Sequence, residues 1–330
     1  MGRNRIHNKF LPQRVYLRSG SYYFVDYTGS WHNLGRSYPA AMAHYGQLVA
    51  DDAHCRTMGD VIDRYTREIV PTKAPKTAKE NVKQARYLRV AFGDLDPRRI
   101  STQGIYQYMD ARGKQSTWQA NRELALFSHM FRKAIRWGIV STNPCIGVER
   151  FPEPPRARYV EDQEFEAFRE FAGPLIAAYL DFKLLTGLRQ ADILSLRLDQ
   201  LKEDGIHVLV SKTKKPHIVQ WSPALRQAVE TAKALRRQPQ RNISRFSTHL
   251  FCTRVGKPYT ADGFRSIWQR KMRKAHQIGV LSERFTDHDI RAKTGSDADP
   301  DHASRLLAHT DPKTTQRHYR RKAETVKPLK

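Results

Sequence analysis

The sequence predicts a multidomain protein, mainly α-helical with small β elements. It should comprise an N-terminal three-stranded sheet plus helix, a four-helix domain, and a mixed α+β C-terminal domain with a β-hairpin. Three observations carry that prediction. Aromatic and β-branched residues cluster near the N-terminus and are broken by two glycine turns. Most of the remaining chain spaces its apolar residues as an amphipathic helix does. A proline-rich stretch, FPEPPRAR at residues 151–158, divides the helical part in two.

Size and charge narrow the function classes. The chain has 330 residues, room for two or three domains, and its 39% hydrophobic content is enough to form cores. Lys plus Arg total 58 against 33 Asp plus Glu, a formal net charge of +25. Such a surface favours a polyanionic partner, nucleic acid first and an acidic membrane surface second. No apolar run reaches the roughly 18 residues a bilayer span needs. The basic start, MGRNRIHNKF, is followed by no apolar signal core, and Ile6 stands where myristoylation wants Ser or Thr. Cys55, Cys145 and Cys252 fit neither a disulfide framework nor a zinc pattern. These features point to the cytosol and suggest no metal.

The elements follow in order. RVYLRSGSYYFVDYTGSWHNLG reads as three short strands joined by turns at Ser19-Gly20-Ser21 and Thr28-Gly29-Ser30. Pro39 opens a helix whose body is Ala40 to Val49, which closes a module over residues 1–55. Residues 57–150 read as four helices. In the first, Val61, Ile62, Tyr65 and Ile69 recur at helical spacing; PTKAPKTAK then connects it to the next. In the last, Leu124, Phe127, Met130, Phe131, Ala134 and Ile135 share an apolar face, and Gly138 suits a position just past the helix end. Residues 151–158 form the linker. The unit from 159 to 330 is helical except for GIHVLV and HIVQWSP, which read as a hairpin with SKTKKP at its tip.

Three stretches of the C-terminal unit invite one chemical explanation. In TGLRQADILSL, Arg189 follows a Thr-Gly break in an apolar helix. In FTDHDIRAKTGSD, His288 and Arg291 are three apart and share a helix face. In HTDPKTTQRHYRR, Asp311-Pro312 is a helix start, His309 precedes it, and Tyr319 lies two turns in. Alone, each has an ordinary reading: a solvated arginine, a basic patch, a half-buried packing tyrosine.

Together, the TGLR, HDIR and LLAHTDPKTTQRHY stretches resemble the tyrosine recombinase (phage integrase) family over residues 160–325. LPQRVYLRSGSYYFVDYTGSWHNLG is similar to the N-terminal arm-binding module of lambda-type integrases, and residues 57–150 to their helical, SAM-like core-binding domain. The resemblance implies catalytic roles for Arg189, Lys212, His288, Arg291, His309 and Tyr319. It implies a supporting role for Asp192, orienting an active-site arginine or the histidine-bearing helix, and DNA contacts by Arg14, Arg18 and Arg36. Lys214 and Lys215 rival Lys212 for the lysine that the family carries on its hairpin. The family usually has glycine where this chain has Ala308, and a helix-end turn that accepts alanine accommodates the difference.

These residue types suit phosphodiester cleavage. The five-coordinate phosphorus carries extra negative charge, which two guanidiniums can fork onto. Histidines add hydrogen bonds and help move the nucleophile's proton. A phenol is a poor nucleophile with an ordinary pKa of about 10, and neighbouring cations favour its phenolate. A covalent phosphotyrosine would conserve the bond energy, so no nucleotide cofactor is needed, in keeping with the lack of a Walker-type loop. With roughly 6–10 phosphate contacts, affinity would fall by about 10³–10⁵ between 50 and 200 mM salt.

The resemblance further implies double-stranded DNA partners at core and arm sites, bound by a homotetramer. The two larger domains would close on the duplex, with an accessory DNA-bending protein and an excision factor in a bacterial cytoplasm, at the nucleoid. It implies no cofactor and no membrane. The basic tail after Arg321 would pack on a neighbouring protomer, so its deletion should alter the balance of cleavage and religation. Two rival readings are a type IB topoisomerase and a catalytically silent DNA-binding regulator.

Overall fold

The computed structural model describes residues 11–12, 14–25, 29–51, 56–237, 247–253, 255–323, 326 and 328–329. The N-terminal cations Arg3, Arg5 and Lys9, the turn residue Thr28, Cys55, and Glu324, Thr325, Lys327 and Lys330 of the tail lie outside the described residues. The chain divides into two units, Met1–Glu153 and Pro154–Lys330.

The first unit opens with an antiparallel meander, β1 (Val15–Arg18), β2 (Ser21–Val25) and β3 (Trp31–Gly35), followed by α1 (Tyr38–Asp51). Arg18 pairs with Ser21, so the first turn has only Ser19 and Gly20 at its centre. Both take positive φ, 49° and 76°, as a mirror-type hairpin turn requires. Strand alternation sends Val15, Phe24 and Leu34 inward onto Ala41 of α1. Tyr16 and Tyr23 instead meet Trp31 on the other face, with ring centroids 5.5 and 6.1 Å apart.

The helices of this unit are α2 (Met58–Glu68), α3 (Pro75–Phe92) and α4 (Thr102–Arg136). Ser116 breaks α4 into two arms with extended dihedrals of −167° and 108°, so residues 57–150 carry four α-helical segments. Thr57 and Asp60 form a reciprocal capping box at the start of α2, satisfying amide groups that the helix leaves open. Sequence reading assigns PTKAPKTAK to a connector, but the helix takes most of it. Pro75 opens α3, because its fixed φ and missing N–H suit a first turn, and only a 3₁₀ turn at Val70–Thr72 links it to α2. In the core Phe92 stacks on Phe127 and Phe127 meets Phe131 edge to face, with centroids 4.7 and 5.0 Å apart. Across the kink, fully buried Glu123 is neutralised by Arg112, at 2.8 and 2.9 Å, and accepts from the Tyr108 hydroxyl at 2.7 Å.

The proline-rich linker is largely fastened down. The Asn121 amide exchanges hydrogen bonds with the Phe151 backbone at 2.9 and 3.0 Å and donates to Glu153 at 2.7 Å. Beyond the boundary, Arg156 pairs with Asp289 at 3.0 Å and Arg158 with Glu164 at 2.5 Å. Pro154 and Pro155 stand between these two anchorages.

The second unit contains α5 (Asp162–Ala172), α6 (Pro174–Thr186), α7 (Gln190–Leu194), the hairpin β4 (Gly205–Leu209) and β5 (Pro216–Gln220), α8 (Pro223–Arg237), α9 (Ala261–Gln277), α10 (Asp287–Asp297), α11 (Pro300–Leu306) and α12 (Pro312–Tyr319). Helix α6 packs against α5, α8 and α10. Its apolar residues line most of its circumference, as expected of a helix buried on several sides. Phe168, Tyr179, Phe182, Phe264, Trp268, Phe285 and Ile290 form the core. Among the described residues no helix is long and apolar enough to cross a membrane.

Candidate active site

The three motif stretches meet through backbone chemistry. Gly187 ends α6 in the left-handed region, φ 59°. A Cβ there would lie 2.7 Å from Leu307 and 3.2 Å from Thr294, so both conformation and space demand glycine. The turn places Arg189 at the N-cap of α7. It also exposes the Gly187 carbonyl to Arg291, whose Nη1 donates to it. Thr294 of α10 donates to the Leu184 carbonyl at 2.9 Å, fastening the same two helices again.

Arg291 is 1% exposed. Its Nη2 donates to the Leu307 carbonyl at 2.6 Å and lies 3.1 Å from Nε2 of His309. Burial pulls the guanidinium down to about 10, opposed by its attraction to Tyr319, so it stays cationic at neutral pH. A guanidinium held by two carbonyls is fixed in direction before any ligand arrives.

Helix α11 delivers His309. The Ala308 amide donates to the Arg305 carbonyl at 2.9 Å, and the His309 amide to the Ser304 carbonyl at 3.1 Å. This is a Schellman ending, which puts its penultimate residue in the left-handed region. Ala308 is accordingly at φ 49°, so the turn is not one that accepts alanine freely. His309 then sets Nδ1 2.7 Å from the Thr315 hydroxyl.

Helix α12 starts at Asp311, whose carboxylate accepts the Lys313 amide at 3.0 Å, with Pro312 as first residue. Its last residue is Tyr319, which is buried. The tyrosine ring lies 4.7 Å from the His309 ring, 5.1 Å from that of His288, and 5.3 Å from the Arg291 guanidinium carbon. Gly295 makes room: a Cβ on it would come within 3.0 Å of Tyr319 Cβ and 2.9 Å of Leu307.

His288 is exposed at the surface, but its ring nitrogens are set back among the protein. Burial first, then the charges of Lys183, Arg291 and Arg321, push it down to about 4. Burial, then Arg291, Arg189 and Lys212, push His309 down to about 4. Both imidazoles are therefore neutral at pH 7 and able to accept a proton.

The hairpin brings up the last member. Lys212 is exposed in the turn after β4, and its charge is among those acting on His309. Asp192 does not hydrogen-bond an arginine or the histidine-bearing helix, as sequence reading expects. Its Oδ1 accepts the Ser211 amide at 2.8 Å, one residue before Lys212, and its carboxylate acts on Arg291 only through charge. Lys214 sits at φ 56° at the exposed tip, next to exposed Lys215.

The structure thus places His288, Arg291 and His309 against the Tyr319 ring, with Arg189 and Lys212 near enough for their charges to act on His309. Arg14, Arg18 and Arg36 belong to the first unit. Arg14 is half-buried at φ 64°, Arg18 lies 5.9 Å over the Trp31 ring, and Arg36 is exposed just past β3.

Sequence reasoning missed the supports beneath the site. Lys183 is fully buried, donates to Asp287 at 2.9 Å and to the Leu188 carbonyl at 3.2 Å, and so ties the arginine loop to the start of α10. The Tyr179 hydroxyl donates to the other Asp287 oxygen at 2.5 Å. Asp289 and Arg321 pair at 2.6 Å. The legible signal was a single lysine inside the apolar run LIAAYLDFKLL, since a buried cation demands a partner.

Residues 162–325 match the family model described as the phage integrase family. The integrase of Escherichia phage HK022 is 26% identical over 239 residues, 64% of this chain and 66% of that protein's length. A lambda integrase dimer bound to a COC′ core site superposes with a TM-score of 0.71 at 19% identity, covering 97% of this chain and 99% of that one. The Tn1549 transposon integrase in complex with circular intermediate DNA superposes with a TM-score of 0.65 at 16% identity, covering 82% of this chain and 96% of that one.

Proposed function

We propose that this chain, whose residues 162–325 match the phage integrase family, is a site-specific tyrosine recombinase of the lambda type, cutting and rejoining DNA strands through a 3′-phosphotyrosine at Tyr319. The observation that carries the reading is the convergence on the Tyr319 ring of two neutral histidines and a fixed guanidinium, all within 5.3 Å.

Arg291 and Arg189 clamp the non-bridging oxygens of the scissile phosphate and offset the charge that develops at phosphorus. With the phosphate bound, the Arg291 contact on His309 Nε2 gives way, and His309 donates from that nitrogen to the same oxygens while its Nδ1 accepts from the Thr315 hydroxyl. The phenol oxygen of Tyr319 attacks phosphorus as its proton passes to neutral His288. The bond from phosphorus to the 5′ oxygen breaks, and Lys212 donates a proton to the departing oxygen. Asp192 holds the Ser211 amide and thereby steadies the lysine beside it. Religation reverses each step: the 5′ hydroxyl returns its proton to Lys212, attacks the phosphotyrosine and expels Tyr319, which recovers its proton.

Residues 1–55 act as an arm-site module, 57–150 as a core-binding domain, and 159–330 as the catalytic domain. Lambda integrase has been seen as a dimer on a core site and as a tetramer on a Holliday junction; this chain acts as a tetramer on two duplexes. A DNA-bending protein and an excision factor assist it at the bacterial nucleoid.

A nicked suicide substrate tests the reading. The wild-type chain should form a covalent adduct, and Tyr319→Phe should bind the same DNA and form none. An adduct that survives in Tyr319→Phe would refute the assignment. Plasmid relaxation without exchange between sites would replace recombination by a topoisomerase activity.

A further inference from the structure

Helix α12 has only eight residues, too few for a helix to hold itself, yet its last residue is the proposed nucleophile. The segment that follows supplies the anchorage. The Ser296 hydroxyl donates to the Tyr319 carbonyl at 2.8 Å and accepts the Arg321 amide at 2.8 Å. The Arg321 side chain, 5% exposed, then folds back past the tyrosine. Its Nε donates to the His318 carbonyl at 3.0 Å, and its Nη1 to the Arg158 carbonyl at 3.0 Å and to Asp289 Oδ1 at 2.6 Å.

Asp289 is fully buried and serves three segments. Its Oδ2 accepts from the Thr286 amide at 2.7 Å and the Thr286 hydroxyl at 2.8 Å, capping the helix that carries His288 and Arg291. The same oxygen lies 3.0 Å from Arg156, next to the prolines that enter this unit. The tail contacts do more than tidy the chain end, because they bracket Tyr319: one backbone bond on His318, one on Tyr319 itself and one on Arg321.

Resting on the recombinase reading above, we propose that Arg321, Ser296 and Asp289 are positioning residues that lock Tyr319 in its own protomer's site and tie that lock to the entering strand at Arg156–Arg158. None of the three touches the phosphate. They fix where the phenol oxygen starts, and a displacement of about 1 Å costs an in-line attack about 10²-fold.

The test uses full-length chain on the suicide substrate at saturating DNA. Arg321→Ala should slow covalent attachment by about 10²-fold, with DNA affinity unchanged and amide exchange faster at residues 318–322. Arg321→Lys should recover part of the rate. Ser296→Ala removes the shared hydroxyl without changing charge, and it should slow attachment in the same sense even if Arg321→Ala proves unstable. A 5′-bridging phosphorothiolate, whose leaving group needs no proton, should rescue neither variant. Attachment within about twofold of wild type in Ser296→Ala and in folded Arg321→Ala would overturn the proposal. So would a slow rate that follows lost DNA affinity, or one that the phosphorothiolate restores. If the wild-type chain forms no Tyr319-dependent adduct, the recombinase reading fails instead.

Discussion

Replacing Ala308 with glycine should stabilise the C-terminal unit. Ala308 is the left-handed residue of the Schellman ending of α11, at φ 49°, with the amides of Ala308 and His309 committed to the Arg305 and Ser304 carbonyls. A Cβ in this conformation crowds the following carbonyl and costs about 1–2 kcal/mol. Glycine removes that cost and restores about 0.5–1 kcal/mol of backbone freedom to the unfolded chain. The net gain is about 0.5–1 kcal/mol, a rise of about 1–4 °C in melting temperature for a unit of this size. Thermal and urea unfolding of the two proteins in parallel measure it. Ala308→Val supplies the opposite sign, because a β-branched residue is least at ease in the left-handed region. A lower midpoint for Ala308→Gly, or no loss for Ala308→Val, would refute the argument that the His309 turn is strained.

Further outcomes follow from the supports and charges. Lys183→Met leaves Asp287 Oδ2 and the Leu188 carbonyl without their lysine donor; with Asp287 21% exposed, the loss should be about 3 kcal/mol by urea denaturation. His288 and His309 are held at about 4 in the folded chain against an ordinary 6.5. Between those values the unfolded chain binds more protons, so this contribution to stability is complete above pH 6.5 and is lost as pH falls toward 4. Melting temperatures from pH 7 to pH 4 should show that slope, and His309→Gln should flatten it. Lys212→Ala should block cleavage of ordinary DNA but be restored by a 5′-bridging phosphorothiolate, whereas Lys214→Ala and Lys215→Ala should cleave ordinary DNA; failure of rescue would remove Lys212 as the acid.

Much of the site was legible because it rests on short-range rules. His288 and Arg291 share a face because three residues make nearly one helical turn, and Asp311-Pro312 marks a start because its side-chain oxygen and fixed φ suit a first turn. Other features were invisible for equally physical reasons. The extent of α3 was underestimated because proline reads as a breaker, although Pro75 occupies the one turn where it is harmless. Asp192 looked like an arginine partner, and only the folded hairpin shows that its carboxylate accepts the Ser211 amide.

The sequence by itself determined which side chains are available, their period along each helix, the glycine and proline breaks, and the excess of positive charge. All of these depend on covalent geometry and neighbours within a few residues. The tertiary structure alone decided that the Gly187 carbonyl aims Arg291, that Asp289 receives Arg321, and that Ala308 bears a left-handed turn. The first two contacts join residues far apart in the chain, and burial and packing alone bring them together; the strain at Ala308 follows from where α11 ends, which only the folded helix fixes.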